Sequence, residues 1–319
     1  MRTLFAMLFL VISASLAVPA QAQEKKTLKV SIIPIQDVAP LFAAIKEGYF
    51  RQQGLEVDTA PTAGGAVGIP GLLAGAYDIV FTNVVSTVQA KAQGLPIRIV
   101  APASAVGDGS QGDGGAGIVV RKGEGIKSGA DLVGKSLGVN TQKNIIWLYA
   151  RAWVQKTGGD PNKVTYREIP FPQMLDALRG KRVDAVFAVD PFVTIAKGDA
   201  TLEFIGSPYI SVQPNLDVAQ YVASDEFIAK HPETLKRFNA ALQMGIGWVS
   251  KNLGSKELRE LIAGYTKINP EMLARMAPLG EPPRKVDVES IRKTIVQMKA
   301  HDLLTGDVNV DALLAPSAR

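Results

Sequence analysis

The sequence contains no cysteine among its 319 residues. This absence excludes disulfides, thiolate metal sites, iron–sulfur clusters and cysteine nucleophiles. Histidine is nearly absent too, because His231 and His301 are the only two, and neither has a metal-binding partner nearby in the sequence. The sequence has no large excess of either charge, since it contains 35 Lys and Arg and 30 Asp and Glu. It also has no run of basic residues interleaved with aromatics. We therefore expect no metal, no cofactor and no nucleic-acid partner.

Long apolar runs are missing after the first 22 residues. Arg2 precedes an apolar run from Leu4 to Val18, and Ala20-Gln21-Ala22 then has the small-x-small pattern of a signal-peptide cleavage site. The run is shorter than the ~20 residues that a membrane-spanning helix needs. We expect cleavage after Ala22 and export as a free periplasmic protein, because no cysteine follows that could carry a lipid anchor.

The remaining chain alternates between predicted strands and helices. Hydrophobic residues make up 47% and charged residues 20%, an ordinary globular balance. Strands are predicted at 28–33, 55–57, 78–81, 97–100, 117–120, 136–139, 164–169, 183–188 and 218–224, and the main helices at 38–52, 63–75, 85–93, 144–156 and 173–178. Such alternation predicts an α/β fold with mostly parallel sheets. The Gly-, Asp- and Ser-rich stretch 104–117 predicts a boundary between two halves, and the strand at 218–224 is predicted to return to the first half.

Candidate binding residues follow the predicted strands. In open parallel sheets, ligands bind outside the carboxyl ends of the strands. The polar, glycine and aromatic residues at those positions are Asp37, Gly64, Gly65, Thr82, Asn83, Asn140, Thr141, Gln142, Asp190 and Phe192. Residues 140–142 are predicted to begin the long helix, where hydrogen-bonding side chains and free backbone N–H groups would occur together.

Each candidate also has a purely structural interpretation. Asp37 and Asp190 precede helices that contain proline early, as N-capping residues do. Gly64 and Gly65 could serve a turn rather than the approach of a ligand to the backbone. Phe192 could belong to the core, as could Trp147. The two histidines are interpreted as structural.

The charge of the ligand is constrained only loosely by these residues. A helix N-terminus stabilises an anion by about 0.3–1 kcal/mol, whereas desolvating an ionised group costs several kcal/mol. No arginine lies within the predicted cleft motifs, and an ionised Asp190 would disfavour a simple anion. A zwitterion or a polar heterocycle with an acidic group fits this pattern better than nitrate does.

Three segments carry a resemblance to a known family. They are ADLVGKSLGV at 130–139, MLDALRGKRVDA at 174–185 and LLAGAYDI at 72–79. In their order along the chain they resemble the periplasmic solute-binding proteins of ABC importers, in the NMT1/THI5-like group that takes nitrate, sulfonates, taurine and thiamine precursors. The resemblance extends over the whole chain after residue 22.

This resemblance implies a type II periplasmic binding fold. Two lobes, each with a five-stranded, mostly parallel sheet flanked by helices, would be joined by a two-strand hinge and close on the ligand. The first lobe would be discontinuous, at 24–118 plus 210–319, around a second lobe at 119–209. The partners would be a small solute and an inner-membrane permease with its ATPase, and the protein would act as a monomer and not as an enzyme.

The sequence does not determine the identity of the solute, and it leaves alternatives to a transport role. A sulfonate or taurine, an aromatic carboxylate and a pyrimidine all agree with the sequence. A sensory subunit that binds a ligand without transporting it cannot be separated from a transport component. An enzyme on the same scaffold, such as a desulfinase or a pyrimidine synthase, is disfavoured because those relatives use cysteine or histidine at the active site.

Overall fold

The computed structural model describes residues 26–110, 112–276 and 280–318. The predicted signal peptide lies outside these residues. Within them, no helix is long and apolar enough to cross a membrane.

Two five-stranded sheets organise the chain. The first has the order β2-β1-β3-β10-β4 and the second β7-β6-β8-β5-β9. The strands of the first are β1 (Thr27–Ile32), β2 (Glu56–Pro61), β3 (Ile79–Asn83), β4 (Ile97–Ala105) and β10 (Asp217–Ser224). Those of the second are β5 (Ala116–Arg121), β6 (Ser136–Val139), β7 (Thr165–Glu168), β8 (Ala185–Val189) and β9 (Leu202–Gly206). We call the halves built on them lobe 1 and lobe 2.

One strand in each sheet runs against the other four. β10 is antiparallel to both of its neighbours in lobe 1, and β5 is antiparallel to both of its neighbours in lobe 2. The other pairs, β1 with β2 and β3, and β6 with β7 and β8, are parallel. The predicted α/β class with two mostly parallel five-stranded sheets is thus confirmed.

Helices cover both sheets. In lobe 1 they are α1 (Ala39–Lys46), α2 (Tyr49–Gln52), α3 (Gly65–Leu73), α4 (Val84–Ala92), α9 (Asp225–Lys230), α10 (Pro232–Lys251), α11 (Lys256–Thr266) and α12 (Val288–Ala300). In lobe 2 they are α5 (Ile145–Lys156), α6 (Phe171–Arg179), α7 (Phe192–Gly198) and α8 (Pro208–Val212). The central strands β3 and β8 are buried along their whole length, as expected for strands covered on both faces, whereas the edge strands β2 and β7 are polar and largely exposed.

The chain crosses between the sheets twice. It leaves lobe 1 after β4, enters lobe 2 at β5, and returns from β9 to β10, which pairs with β3 and β4. The expected return of 218–224 to the first half is confirmed. The exact lobe boundaries, 118/119 and 209/210, stay a prediction.

Two helix predictions were wrong in detail. The single helix expected at 38–52 is interrupted, because Gly48 adopts a left-handed conformation with φ 74° between α1 and α2. Residues 140–142 do not begin the long helix. α5 starts at Ile145, and the side chain of Asn144 caps it by accepting a hydrogen bond from the backbone N–H of Trp147 at 3.1 Å.

Candidate ligand-binding cleft

A cavity lies between the two lobes, at the carboxyl ends of their strands. Its space for the centres of water-sized spheres is about 110 Å³, which is room for a small solute rather than a single water. Lobe 1 contributes Phe81 and Val249, and lobe 2 contributes Ile146 and Phe171. Most of the wall is apolar, so the few polar groups decide which solute fits.

Asp37 is an acidic group on this wall. It lies in the 3₁₀ turn Gln36–Val38 after β1, and its Oδ2 accepts a hydrogen bond of 2.5 Å from the Oγ of Ser104 on β4. Burial raises the pKa of its carboxyl, while the bond from Ser104 acts in the opposite direction. The N-cap interpretation of Asp37 was wrong, because the residue before α1 is Val38 and no side chain caps that helix.

Asn83 and Asn140 also line the cavity, but both make protein contacts. Asn83 caps α4, since its Oδ1 accepts from the backbone N–H of Ser86 at 3.0 Å. Asn140 Nδ2 donates to the carbonyl of Ala63 at 3.1 Å, and its Oδ1 accepts from Asn144 Nδ2 at 2.7 Å. Asn140 therefore joins lobe 2 to lobe 1 at the edge of the cavity.

A second contact joins the lobes on another side. The backbone N–H of Gln36 in lobe 1 donates to the carbonyl of Asp190 in lobe 2 at 3.0 Å. The Gln36 side chain lines the cavity, and its Oε1 is buried without a hydrogen-bond partner. With the Asn140–Ala63 bond, this contact shows two lobes that meet across the cleft.

Four further candidates lie off the cavity wall, Gly64 and Thr141 at the lobe–lobe contact and Gly65 and Thr82 inside lobe 1. A β-carbon on Gly64 would stand 3.5 Å from Asn140 Nδ2 and 3.7 Å from Thr141 Oγ1. A β-carbon on Gly65 would stand 2.7 Å from the Cβ of Ser86 and closer still to Thr82 Oγ1, so glycine is required there for α3 to approach β3. The hydroxyls of Thr82 and Thr141 are buried without a partner.

Three candidates are not brought to the cavity. Gln142 is exposed and contacts only lobe 2, with its backbone N–H on Glu168 and its side chain on the Tyr166 carbonyl. Phe192 is buried in the core of lobe 2. Asp190 Oδ1 accepts from the backbone N–H of Thr194 at 2.9 Å, as a capping residue would.

The environment of Asp190 also affects its ionisation. The side chain is 5% exposed. Burial raises its pKa to about 6, against the lowering effect of the hydrogen bonds from Thr194. An Asp190 that is partly neutral near pH 6 repels an anion less than a fully ionised Asp190 would.

Several wall residues were not predicted from the sequence. They are Gln36, Ser104, Asn144 and Tyr209. Gln36 stands beside Asp37 in the same loop and could have been found. Ser104 was missed because β4 was predicted to end at 100, five residues before its observed end. Tyr209 follows no predicted strand, so no sequence signal pointed to it.

A buried polar network lies behind the cavity, where the chain returns to lobe 1. The Tyr149 hydroxyl on α5 donates to Gln213 Oε1 at 2.8 Å and lies 3.1 Å from Thr294 Oγ1 on α12. Gln213 Nε2 donates to the Ser290 carbonyl at 3.0 Å. These bonds join α5 of lobe 2 to α12 of lobe 1 beside the crossing chain.

The two histidines lie away from the cavity wall. His231 stands between α9 and α10 and its ring contacts that of Phe227. His301 is buried at the end of α12, where burial lowers its pKa. Their positions agree with structural roles.

Comparison with known proteins gives relatives of similar organisation. A protein of Brachyspira hyodysenteriae named as an ABC transporter periplasmic binding protein is 24% identical over 299 residues, covering 84% of this chain and 82% of the relative. The alkanesulfonate-binding protein SsuA of Xanthomonas axonopodis pv. citri superposes with a TM-score of 0.75 at 15% identity, over 92% of this chain and 99% of SsuA.

The nitrate-binding protein NrtA of Synechocystis PCC 6803 superposes with a TM-score of 0.74 at 14% identity, over 91% of this chain and 85% of NrtA. At these identities the solved structures support the fold, not the solute. The family model described as NMT1/THI5 like matches residues 35–252, more than half of the sequence. The chain therefore belongs to the NMT1/THI5-like family.

Proposed function

We propose that this protein is the periplasmic solute-binding component of an ABC importer. The observation that carries the proposal is a cavity whose wall comes from both lobes, with lobe–lobe hydrogen bonds at its edge. The solute stabilises the closed arrangement, which a membrane permease with its ATPase then recognises. The family and the Brachyspira relative support this role. Export would follow cleavage after Ala22, and the protein would act as a monomer.

The proposed role is binding rather than catalysis. The sequence has no cysteine, and no histidine lies among the described residues of the cavity wall. The polar groups there are amides, hydroxyls and carboxyls, which orient a solute by hydrogen bonds. This composition supports capture and release of an unchanged solute.

The solute classes drawn from the sequence are supported unequally by the cavity. A sulfonate, taurine or an aromatic carboxylate carries an anionic group, and the described wall offers no Lys or Arg to pair with it. A pyrimidine presents a flat ring to the apolar wall and ring or amino nitrogens to the polar groups. Among the predicted site residues, Asp37, Asn83 and Asn140 are the proposed contacts.

Solute-driven closure is the test of this proposal. Because the sequence lacks cysteine, a K122C/K236C double variant would carry one dye on each lobe, at two exposed positions. After unfolding, dialysis and refolding to remove bound solute, energy transfer is measured against hexanesulfonate, taurine, nitrate, benzoate, benzylamine and 4-amino-5-hydroxymethyl-2-methylpyrimidine. We expect at least one compound to change the transfer efficiency saturably, while sucrose does not. No response to any compound would contradict the role.

Removing the Asn140 amide should weaken closure. In N140A, the Ala63 carbonyl of lobe 1 loses its partner in the closed state, whereas the lost bond from Asn144 lies within lobe 2 and affects the open and closed states alike. A buried polar group without a partner costs about 1–3 kcal/mol, so we expect affinity for the responding compound to fall roughly 5- to 100-fold. Isothermal titration measures the change.

Gln142 provides the matched control for Asn140. It is an amide in the same loop whose side chain contacts only the Tyr166 carbonyl of its own lobe. The Q142A variant should bind within about twofold of the wild type, since an exposed hydrogen bond contributes little. Equal losses in N140A and Q142A would show that the loop, rather than the lobe–lobe bond, controls affinity.

A further inference from the structure

The charged residue types on the described cavity wall are all acidic. Among the described residues of the wall, the acids are Asp37 and Glu281, and there is no Lys or Arg. Glu281 is exposed and accepts a hydrogen bond of 2.5 Å from Ser250 Oγ, which places it at the rim, whereas Asp37 is half-buried. A charged solute entering here meets a carboxyl at both positions, and a cation favours the ionised form of Asp37, whose pKa burial raises.

Two acceptor groups near Asp37 have unused hydrogen-bonding capacity. The Ser104 hydroxyl is the hydrogen-bond donor that the described residues supply to the Asp37 side chain, and it reaches Oδ2. The neighbouring Gln36 Oε1 is buried and has no partner at all. A carboxylate and an amide oxygen accept hydrogen bonds and an ionised carboxylate donates none. A solute that satisfies them must bring N–H or O–H groups.

An anion would be disfavoured at this position for two reasons. Desolvating it costs several kcal/mol without a cation in the wall to compensate, and its charge would repel Asp37. The start of α1 at Ala39-Pro40 is close by, but a helix end stabilises an anion by only about 0.3–1 kcal/mol. A cation instead gains a charge-assisted hydrogen bond with the carboxylate.

The rest of the cavity accepts an apolar body. Phe81, Ile145, Phe171 and Tyr209 contribute to its wall, and the Tyr209 ring is held edge-on by Tyr149. The cavity has room for a small ring or a short branched chain among these side chains.

From these observations we infer that Asp37, with the amide oxygen of Gln36, selects a solute that carries a protonated amine or amidine on a small apolar body. This inference rests on the proposed solute-binding function and narrows its substrate class. It separates this protein from a receptor for sulfonate or nitrate by the charge of its cavity.

The test compares ligands that share a benzene ring but are cationic, neutral or anionic. Benzylamine and benzamidine carry the cation, benzyl alcohol is neutral, and benzoate and benzenesulfonate are anions. Each is titrated into the refolded, solute-free full-length mature protein, and both affinity and the dye-reported closure are measured. We expect the cations to bind at least about 30-fold tighter than the anions, as a charge-assisted hydrogen bond contributes.

Three variants separate the carboxylate from general damage to the site. D37N should lose about 10- to 100-fold in affinity for the cations, while its affinity for benzyl alcohol changes less than threefold. S104A leaves the carboxylate in place and should keep the preference for cations over anions. D108N, in an exposed turn of the crossing loop, should match the wild type.

The outcomes distinguish this inference from the function on which it rests. Closure driven by benzoate or benzenesulfonate, with the cations inert, would overturn the inference and keep the binding role. Equal losses for cations and benzyl alcohol in D37N would overturn it as well, because Asp37 would then support the wall rather than select charge. If no compound of any of the three charges bound or caused closure, the result would contradict both the inference and the proposed solute-binding function.

Discussion

Replacement of Gly245 by alanine is expected to lower the free energy of unfolding by about 3 kcal/mol. Gly245 lies in the middle of α10, where this helix crosses α1. A β-carbon there would stand 3.0 Å from the Ala44 Cβ and 3.1 Å from the Pro40 carbonyl carbon, and closer still to the carbonyl oxygen. The backbone of α1 cannot rotate away as a side chain can, so the two helices must separate.

The matched control is Gly264→Ala, inside α11. A β-carbon at Gly264 would meet no atom within 4 Å, so alanine should raise the free energy of unfolding by about 0.5–1 kcal/mol through its better helix propensity. Urea unfolding followed by circular dichroism measures both variants. If Gly245→Ala were as stable as Gly264→Ala, the close crossing of α1 and α10 would be wrong.

This crossing also bears on the cavity. Pro40 belongs to the cavity wall, and α1 directly follows the turn that holds Asp37. A displacement of α1 would therefore move the wall as well as loosen the core. We expect the Gly245 variant to lose affinity together with stability, whereas a variant of the wall alone would lose only affinity.

The sequence predicts the fold well because the fold depends on local patterns. Apolar runs such as 79–81 and 185–188 are buried on both faces, and they alternate with helical segments, which determines the α/β class. The helix ends are less predictable. Gly48 interrupts the predicted helix 38–52 through a left-handed conformation, and an isolated glycine in a helical pattern does not indicate whether it will adopt one.

The candidate site could be predicted only in part, since it depends on which loops face each other across the cleft. Asp37 and Asn140 were found because each follows a strand, and both line the cavity. Gln142 satisfies the same rule but points to the outer surface of lobe 2. Tyr209 reaches the wall from α8, and the position of α8 is determined by its packing on α5 rather than by any local signal.

The charge of the cavity was also only partly predictable from the sequence. The predicted cleft motifs contain no arginine, and the sequence predicts Asp190 as the acid that meets the ligand. In the structure Asp190 does not line the cavity and accepts a hydrogen bond from the backbone N–H of Thr194 in α7, and Asp37 is the inner acid on the wall. The cavity wall is acidic, but Asp37 rather than Asp190 supplies the inner carboxyl, because strand ends alone do not define the direction of a side chain.

The second large effect is expected in the dependence of stability on pH, through Asp217. This residue begins β10, where the chain returns to lobe 1, and it is 2% exposed. Its carboxylate accepts hydrogen bonds from Gln220 Nε2 and, at 2.8 Å, from the backbone N–H of Asp287. No Lys or Arg among the described residues forms an ion pair with it. Burial raises its pKa to about 7, and the charge of Asp287 adds to the shift.

The direction of the effect follows from where the proton is bound. An unfolded chain holds this carboxyl at its usual pKa near 3.8, so between pH 4 and 7 the folded protein binds more protons than the unfolded one. The contribution of Asp217 to stability is therefore fully present below about pH 4 and is lost as the pH rises through about 7. A shift of this size corresponds to at most about 4 kcal/mol, and Asp190, with a pKa of about 6, adds to it with the same sign.

Urea unfolding at pH 4.5, 6 and 7.5 measures this slope in the wild type, D217N and D108N. D217N removes the titrating group and retains one oxygen as an acceptor, so its stability should vary less with pH even if its stability at pH 4.5 is lower. D108N changes an exposed carboxyl and should retain the wild-type slope. Parallel slopes in the wild type and D217N would show that Asp217 is ionised in the folded protein. In that case its two N–H donors would outweigh the cost of burying its charge where the two lobes are joined.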